Sequence, residues 1–367
     1  MMDHPRKADA TVPDDAWAIA LLRGMVATPS PSGSEAAVSE WLVGQMRQVG
    51  FDADVDEAGN AVGRIGPRPN TVAMVGHIDT VPGLIPVRID GNTLWGRGAV
   101  DAKGPIAAFV VAGARAARTV GASATVAGAV EEEAATSKGA YHLSKGPAPQ
   151  HCIIGEPSRW DRITMGYKGR LLLDYALERS CAHTAGAQRG VCDEAVEYWQ
   201  RIATVASAYN AGRKRRFDTL DPSLRDMCSS GDGLTQRVEM SIGLRLPLGY
   251  NLDAFIDSAT HEWPGNATVS TRGRENAYRA DKRTPLASAF LAAIRAEGGR
   301  PGYVTKTGTS DMNVLGPRWG CPILAYGPGD SSLDHTPEER IDLDEYLRSI
   351  RVLTRVLERL AGSQHLP

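Results

Sequence analysis

The chain has 367 residues, 42% of them hydrophobic and 23% charged, a composition that excludes a disordered or fibrous protein and suggests about two globular domains. With 41 Lys and Arg against 43 Asp and Glu, the net charge of −2 provides no global positive field, which argues against nucleic acid as a partner. No segment approaches the ~20 apolar residues that span a bilayer, and the amino-terminal stretch lacks the apolar core of a secretory signal, so a cytoplasmic protein without a membrane partner is expected.

In chain order, Ala16 to Ala27 has the pattern of a helix and is followed by a TPSPSGSE turn. Ser32 and Glu35 have capping-box spacing ahead of a second helix, whose apolar positions Val38, Trp41, Leu42 and Val49 recur until Gly50 stops it. Two apolar runs, Ala61 to Ile65 and Thr71 to Gly76, read as strands, the second ending at His77. Gly96 to Gly98 form a turn leading through Asp101 into a small-residue helix, Pro105 to Arg118. Ala124 to Val130 is a short buried strand ending at Glu131, Glu132 and Glu133, and Cys152 to Gly155 is another, ending at Glu156. Apolar strand, polar residue at its carboxyl end, then helix: this order is that of an open α/β sheet with a site along its carboxyl edge.

From about Gly169 the texture changes. Leu171 to Leu177 alternates as a half-exposed strand, His183 to Gly190 is a loop, Cys192 to Asn210 is a long amphipathic helix, and strands flank Gly231 to Gly233, the clearest being Arg237 to Leu246. Residues 167–279 therefore read as an inserted α+β domain between two parts of a first domain, 1–166 and 280–367. Pro285 to Glu297 is helical, Pro322 to Tyr326 a strand and Asp342 to Leu360 a closing helix. The five cysteines, Cys152, Cys181, Cys192, Cys228 and Cys321, are widely spaced without a CxxC pair. They are neither a disulfide framework nor a thiolate metal site, and most are expected to be small buried residues.

Loop ends supply His77 and Asp79, Asp101, Glu131 to Glu133, Glu156 and His335. Singly, each has an ordinary explanation: a surface histidine, a helix cap at Asp101, a solvated acidic run. Together they would place two imidazoles and several mutually repelling carboxylates at one edge, an arrangement that a divalent cation or two would neutralise. Two His with carboxylates and no thiolate suit zinc, with cobalt or manganese as substitutes.

GHIDTVP, LWGRGAVDAKG, the triplet Glu131 to Glu133, GEPS at Gly155 to Ser158, AHTAG at Ala182 to Gly186 and DHTPEE at Asp334 to Glu339 stand in a familiar order and spacing. They resemble the co-catalytic di-zinc metallopeptidases and deacylases, a family that includes carboxypeptidases, acetylornithine deacetylase and succinyl-diaminopimelate desuccinylase. The resemblance runs from about Ala16 over nearly the whole chain. It implies an α/β catalytic domain with a central mixed sheet flanked by helices, plus an inserted α+β lid that also forms a homodimer interface. It further implies that His77 and Glu156 bind one zinc, Glu133 and His335 the other, and that Asp101 bridges them. Glu132 is then the general base that moves protons between water and the leaving amine, and Asp79 orients His77 by taking its imidazole N–H. An Asp101–Ala102 cis peptide is implied as well. His183 would stabilise the oxyanion of a partner's active site, Arg245 would hold a substrate carboxylate, and Gly308, Thr309, Ser310 and Asp311 would line the substrate pocket.

Two departures narrow the branch. Where simple deacylases carry a Pro and an Asn-Ala beyond the lid histidine and an Asn-Ile-Pro-like segment before the Arg strand, this chain has GAQRGVCDEA and GDGLTQRVE. The string from EEEAATSKGA through IIGEPSRWDRITMGYKGRLLLDY to GTSDMNVLGP and YGPGDSSLDHTPEE resembles the lysine/ornithine hydrolases of the amino-group carrier protein pathway more closely. Those enzymes release lysine, ornithine or a related amino acid from the side chain of the C-terminal glutamate of an acidic carrier protein. Such a carrier would give the basic run Arg213 to Arg216 a steering role. A small-molecule deacylase or dipeptidase, and a silent carrier-binding scaffold, remain as alternatives.

Overall fold

A computed structural model describes residues 11–68, 71–181, 183 and 188–362. Two compact units divide the chain: one takes the chain up to Gly166, Ala280–Val304 and the segment from Ser310 onward, the other Tyr167–Arg279 and Thr305–Thr309. In order, the elements are α1 (Asp15–Ala27), α2 (Ala36–Gln48), β1 (Asp52–Val55), β2 (Ala61–Ile65), β3 (Val72–His77), β4 (Arg88–Asp90), β5 (Thr93–Trp95), α3 (Lys103–Val120), β6 (Ala124–Ala129), α4 (Lys138–Leu143), β7 (His151–Gly155) and β8 (Arg162–Tyr167). The second unit brings β9 (Gly169–Ser180), α5 (Val191–Asn210), β10 (Asp221–Gly231), β11 (Thr235–Leu246), α6 (Leu252–Asp257), β12 (Thr268–Glu275) and β13 (Tyr278–Arg279). The chain closes with α7 (Pro285–Ala296), β14 (Gly302–Lys306), α8 (Asp311–Trp319), β15 (Ile323–Ala325), β16 (Arg340–Asp342) and α9 (Leu343–Gly362).

The first unit is built on a mixed sheet in the order β1-β2-β6-β3-β7-β15-β8. β3 pairs parallel with β6 and β7, and β7 parallel with β15, whereas the edge pairs β1 with β2 and β2 with β6 are antiparallel. Every residue of β3 is buried, as a parallel strand covered on both faces requires. α3 packs against this sheet through small residues. Gly76 and Gly155 sit opposite each other on β3 and β7, and a Cβ on Gly155 would lie 2.8 Å from the Phe109 ring of α3 and 3.1 Å from the Gly76 Cα. Larger side chains there would push helix and strands apart. The helix starts at Lys103, two residues before Pro105, since a proline in the first turn forfeits no helical hydrogen bond.

The second unit has its own core. Its antiparallel sheet, β10-β11-β9-β12, alternates along β9 so that Leu171, Leu173, Tyr175 and Leu177 meet Ala195, Tyr198, Ile202 and Ala206 of α5. β10 keeps most of its residues exposed, so this sheet is covered on one face only.

Three expectations change. The Ser32/Glu35 capping box does not form: α2 begins at Ala36, the Ser32 hydroxyl donates to Asp79 at 2.7 Å, and Glu35 accepts from Gly33 N–H at 2.9 Å. The closing helix begins at Leu343, because Arg340–Asp342 pair with β5 as a strand. All five cysteines are free, but only Cys152 is buried; Cys181, Cys192 and Cys228 are exposed, two of them near the ends of second-unit elements and one on the open strand β10. Among the described residues no helix is long and apolar enough to cross a membrane.

Gly155→Val should destabilise the protein by about 1–3 kcal/mol in urea unfolding, the range for overpacking a filled site. Gly44→Ala, with nothing within 4 Å of the added Cβ, should show no such loss; equal effects would refute the close crossing.

Candidate metal centre

Strand register brings the site together. His77 pairs with Ala129, and Gly76 with Gly155, so β3, β6 and β7 end side by side and hand the chain on to Ile78–Asp79, Glu131–Glu133 and Glu156. Asp101 arrives from the loop after β5, and its peptide bond to Ala102 is cis. His335 arrives from the loop before β16 and, like Glu131, is a non-glycine residue with positive φ, at 62° and 57°. Such backbone is held only where its surroundings fix it.

The two Asp101 oxygens face different imidazoles: Oδ1 is 3.1 Å from His77 Nε2 and Oδ2 is 3.2 Å from His335 Nε2. His335 Nε2 is also 2.8 Å from Glu133 Oε1. Among the described residues, two groups of side chains bring their ligand atoms within 4.8 Å of one another: Asp101, Glu133 and His335, and His77, Glu132 and Glu133. Glu156 is buried at the end of β7 and its charge reaches Glu132, but it belongs to neither group.

The acids are held by clamps that sequence reasoning did not assign. Asp79, wholly buried, accepts from Ser32 Oγ, from Glu132 N–H at 3.1 Å and from Glu133 N–H at 3.0 Å, so its carboxylate fixes the backbone of the acidic pair. His77 Nδ1 accordingly lies 2.9 Å from the Asp79 carbonyl oxygen and 3.4 Å from its carboxylate. Glu339, 1% exposed, does the same for Asp101: its Oε1 accepts from Val100 N–H at 3.0 Å and Asp101 N–H at 3.1 Å, while Oε2 takes the Arg97 guanidinium at 2.7 Å. Lys103 donates to the Thr28 carbonyl at 2.7 Å, and burial lowers its pKa to about 8 against the pull of Glu339 and Asp79. Glu131, by contrast, takes the Thr136 hydroxyl at 2.6 Å and stands beside the cluster. In the sequence, Asp79 is marked by GHIDTVP only as a partner of His77, and Arg97 and Glu339 only by standing inside WGRG and DHTPEE.

The electrostatics of the cluster follow from burial and close like charges. Burial pushes Glu132 well above the carboxylate range, and the charges of Glu156, Glu133 and Asp311 push it further. Burial also raises Glu133. For Asp101, burial works upward, but bonds to His335 and His77 outweigh it and hold the carboxyl far down. His335 is raised to about 10 by its bonds to Asp101 and Glu133, which favour its protonated form. Two imidazoles and several buried carboxylates, without thiolate, are the donor set of zinc-type divalent cations, which would replace those protons with fixed positive charge.

Of the other expected residues, Thr309 Oγ1 accepts from Arg245 Nη1 at 2.9 Å within the second unit. Ser310 caps α8, accepting from Met312 N–H at 3.2 Å, and Asp311 opens that helix in the first unit. Gly308 precedes them, half-buried, with nothing within 4 Å of where a Cβ would stand. His183 is exposed in the second unit, and the rest of its AHTAG motif lies outside the described residues.

The family model for peptidase family M20/M25/M40 matches residues 73–359. A [LysW]-lysine hydrolase of Deinococcus radiodurans is 47% identical over 359 residues, spanning 95% of this chain and 99% of that protein. A putative [LysW]-lysine/[LysW]-ornithine hydrolase of Thermococcus kodakarensis is 42% identical over 94% of this chain and 93% of its own. Among solved structures, an M20 family metallo-carboxypeptidase from Sulfolobus solfataricus superposes with a TM-score of 0.77 at 17% identity, covering 94% of this chain and 99% of that one. A tripeptidase from Staphylococcus aureus does so at 0.76 and 15%, covering 96% and 100%. At those identities the structural likeness speaks for the fold.

A histidine whose folded pKa is raised contributes stability that is complete below its unfolded value, about 6.5, and is lost as pH rises through the folded value, here about 10. A divalent cation that took His335 as a ligand near neutral pH would therefore displace about one proton from it. Calorimetric zinc titration in buffers of different ionisation enthalpy should show buffer-dependent heats; identical heats would contradict the protonated cluster.

Proposed function

The chain belongs to peptidase family M20/M25/M40, and from that membership we propose that it is a metal-dependent amide hydrolase releasing lysine, ornithine or a related amino acid from the C-terminal glutamate side chain of an acidic amino-group carrier protein. The observation that carries the substrate assignment is the 47% identity, over 95% of the chain, to a protein named [LysW]-lysine hydrolase. The reaction class rests on the imidazole–carboxylate cluster around Asp101.

His77 and Glu156 on one side and Glu133 and His335 on the other would hold two zinc ions, exchangeable for cobalt or manganese, with Asp101 shared between them. Bound there, the metals would supply Lewis acidity towards the scissile carbonyl and lower the pKa of water. Glu132 is the base. Its carboxylate, made more basic by burial and by neighbouring acids, takes the proton of the attacking water and passes it to the leaving α-amine. Asp79 holds Glu132 through its backbone N–H, so base and neighbouring ligand are set by one carboxylate. Glu339 does the corresponding work for Asp101. In the second unit, His183 is proposed as the oxyanion donor across a homodimer and Arg245 as the fork for a substrate carboxylate. Residues 167–279 are then the lid and dimerisation domain of a cytoplasmic enzyme.

Mass spectrometry of an acidic carrier protein bearing lysine or ornithine on its terminal glutamate tests this directly. Incubation with the zinc-loaded protein should remove the amino-acid mass, and Glu132→Gln should slow that loss by about 10²–10⁴-fold with metal content and folding intact. Cleavage of N-acetylornithine or a dipeptide in place of the carrier amide would move the enzyme to the small-substrate branch. Zinc uptake with no hydrolysis at all would leave a carrier-binding scaffold.

A further inference from the structure

The second unit contains a cationic cluster of which the proposed reaction uses only Arg245. Lys168, on the link between β8 and β9, is fully buried, which for an ammonium is costly unless its donors are taken. They are: Nζ donates to the Arg216 carbonyl at 3.0 Å, to the Thr219 carbonyl and to Asp221 Oδ2 at 2.6 Å. One buried lysine thus ties down the whole turn from Arg216 to Asp221, which includes a short 3₁₀ turn, Arg216–Asp218.

The basic run singled out in the sequence is thereby split. Arg213 is engaged locally, stacked 3.8 Å from the Tyr209 ring and donating to the Tyr209 carbonyl at the end of α5. Lys214, Arg215 and Arg216 are exposed. Arg216 is the one whose backbone is anchored by Lys168. Arg245 stands on β11 directly opposite Asp221 of β10, and Thr309 links it back to Lys168: Arg245 donates to the Thr309 hydroxyl, which donates to the Lys168 carbonyl at 3.0 Å. Burial lowers the Lys168 pKa, Asp221 opposes this, and the Arg216 and Arg245 charges lower it further. Lys168 and Arg245 thus stand against one carboxylate, Asp221, and the backbone of Arg216 is tied to the same lysine.

Such an excess suits an anion. Under the proposed function the substrate carries two carboxylates flanking the scissile amide: one on the amino acid to be released, the other the α-carboxylate of the carrier's terminal glutamate. A simple N-acyl amino acid has only the first. We propose that Arg216, its backbone anchored by Lys168, binds the terminal α-carboxylate of the carrier and makes the enzyme selective for carrier-linked amides. Arg245 is left to the carboxylate of the released amino acid. Lys168 is a positioning residue that makes no contact with substrate.

This inference rests on the carrier-amide reading, and its test separates the two. Steady-state kinetics are measured for wild type and Arg216→Gln on carrier-linked lysine whose terminal α-carboxylate is either free or capped as a carboxamide. Arg216 is exposed, so the variant should fold. For wild type, capping should raise KM about tenfold with kcat within about twofold, the cost of losing one charge-assisted fork. Arg216→Gln should show the same rise on the free acid and no further rise on the capped substrate. An equal loss on both substrates would mean diffuse steering, and no loss on either would mean an idle surface charge; both outcomes overturn the subsite. Failure of the wild type to cleave either form would overturn the carrier-amide reading itself, and the subsite with it.

Discussion

The first unit depends on one electrostatic problem: Asp101, Glu132 and Glu156 lie buried with Glu133 half-buried among them, their charges act on one another, and the imidazoles of His77 and His335 reach Asp101. In water such groups would separate; here the ends of three parallel strands and two loops keep them together. The cost of assembling them falls on the backbone clamps. Asp79 and Glu339 each spend a buried carboxylate on two N–H groups, one fixing Glu132 and Glu133, the other Val100 and Asp101. Without such clamps, like charges would rotate away from one another before any cation arrived.

The sheet explains why this can be done with short strands. Gly76 and Gly155 let β3, β7 and α3 approach closely, so His77 and Glu156 emerge from neighbouring strand ends at fixed separation. The second unit solves a different problem with the opposite charge. There a buried lysine, satisfied by carbonyls and Asp221, holds arginines in place, whereas in the first unit buried carboxylates hold carboxylates.

Much of this was legible in the sequence because parallel strands write themselves as short apolar runs, and a polar residue at the end of such a run has few places to go. His77, Glu131 to Glu133 and Glu156 follow from that pattern, and the strand Ala61–Ile65 was placed at its observed bounds. The clamps were less legible. Ser32 and Glu35 have the spacing of a helix cap, but the chain uses them on Asp79 and on the N–H groups of Gly33 and Glu131, contacts nearly fifty and a hundred residues away for Asp79 and Glu131. Glu339 sits 238 residues from the backbone N–H of Asp101, and no local pattern announces such a bond. The short strands β4 and β5 were missed because Arg88–Asp90 is exposed and carries no apolar run. Cysteine burial was overestimated for a related reason: the residue type says little when the strand carrying Cys228 is covered on one face only.

The central claim is that Asp101 is shared between two cations while Glu132 stays outside their coordination as the base. Anomalous diffraction at the zinc edge, from crystals grown with zinc, tests it most directly. Two peaks are expected, one on either side of the Asp101 carboxylate, with the Glu132 oxygens beyond bonding distance of both. A single peak, or Glu132 in the coordination sphere where Glu156 is expected, would contradict it.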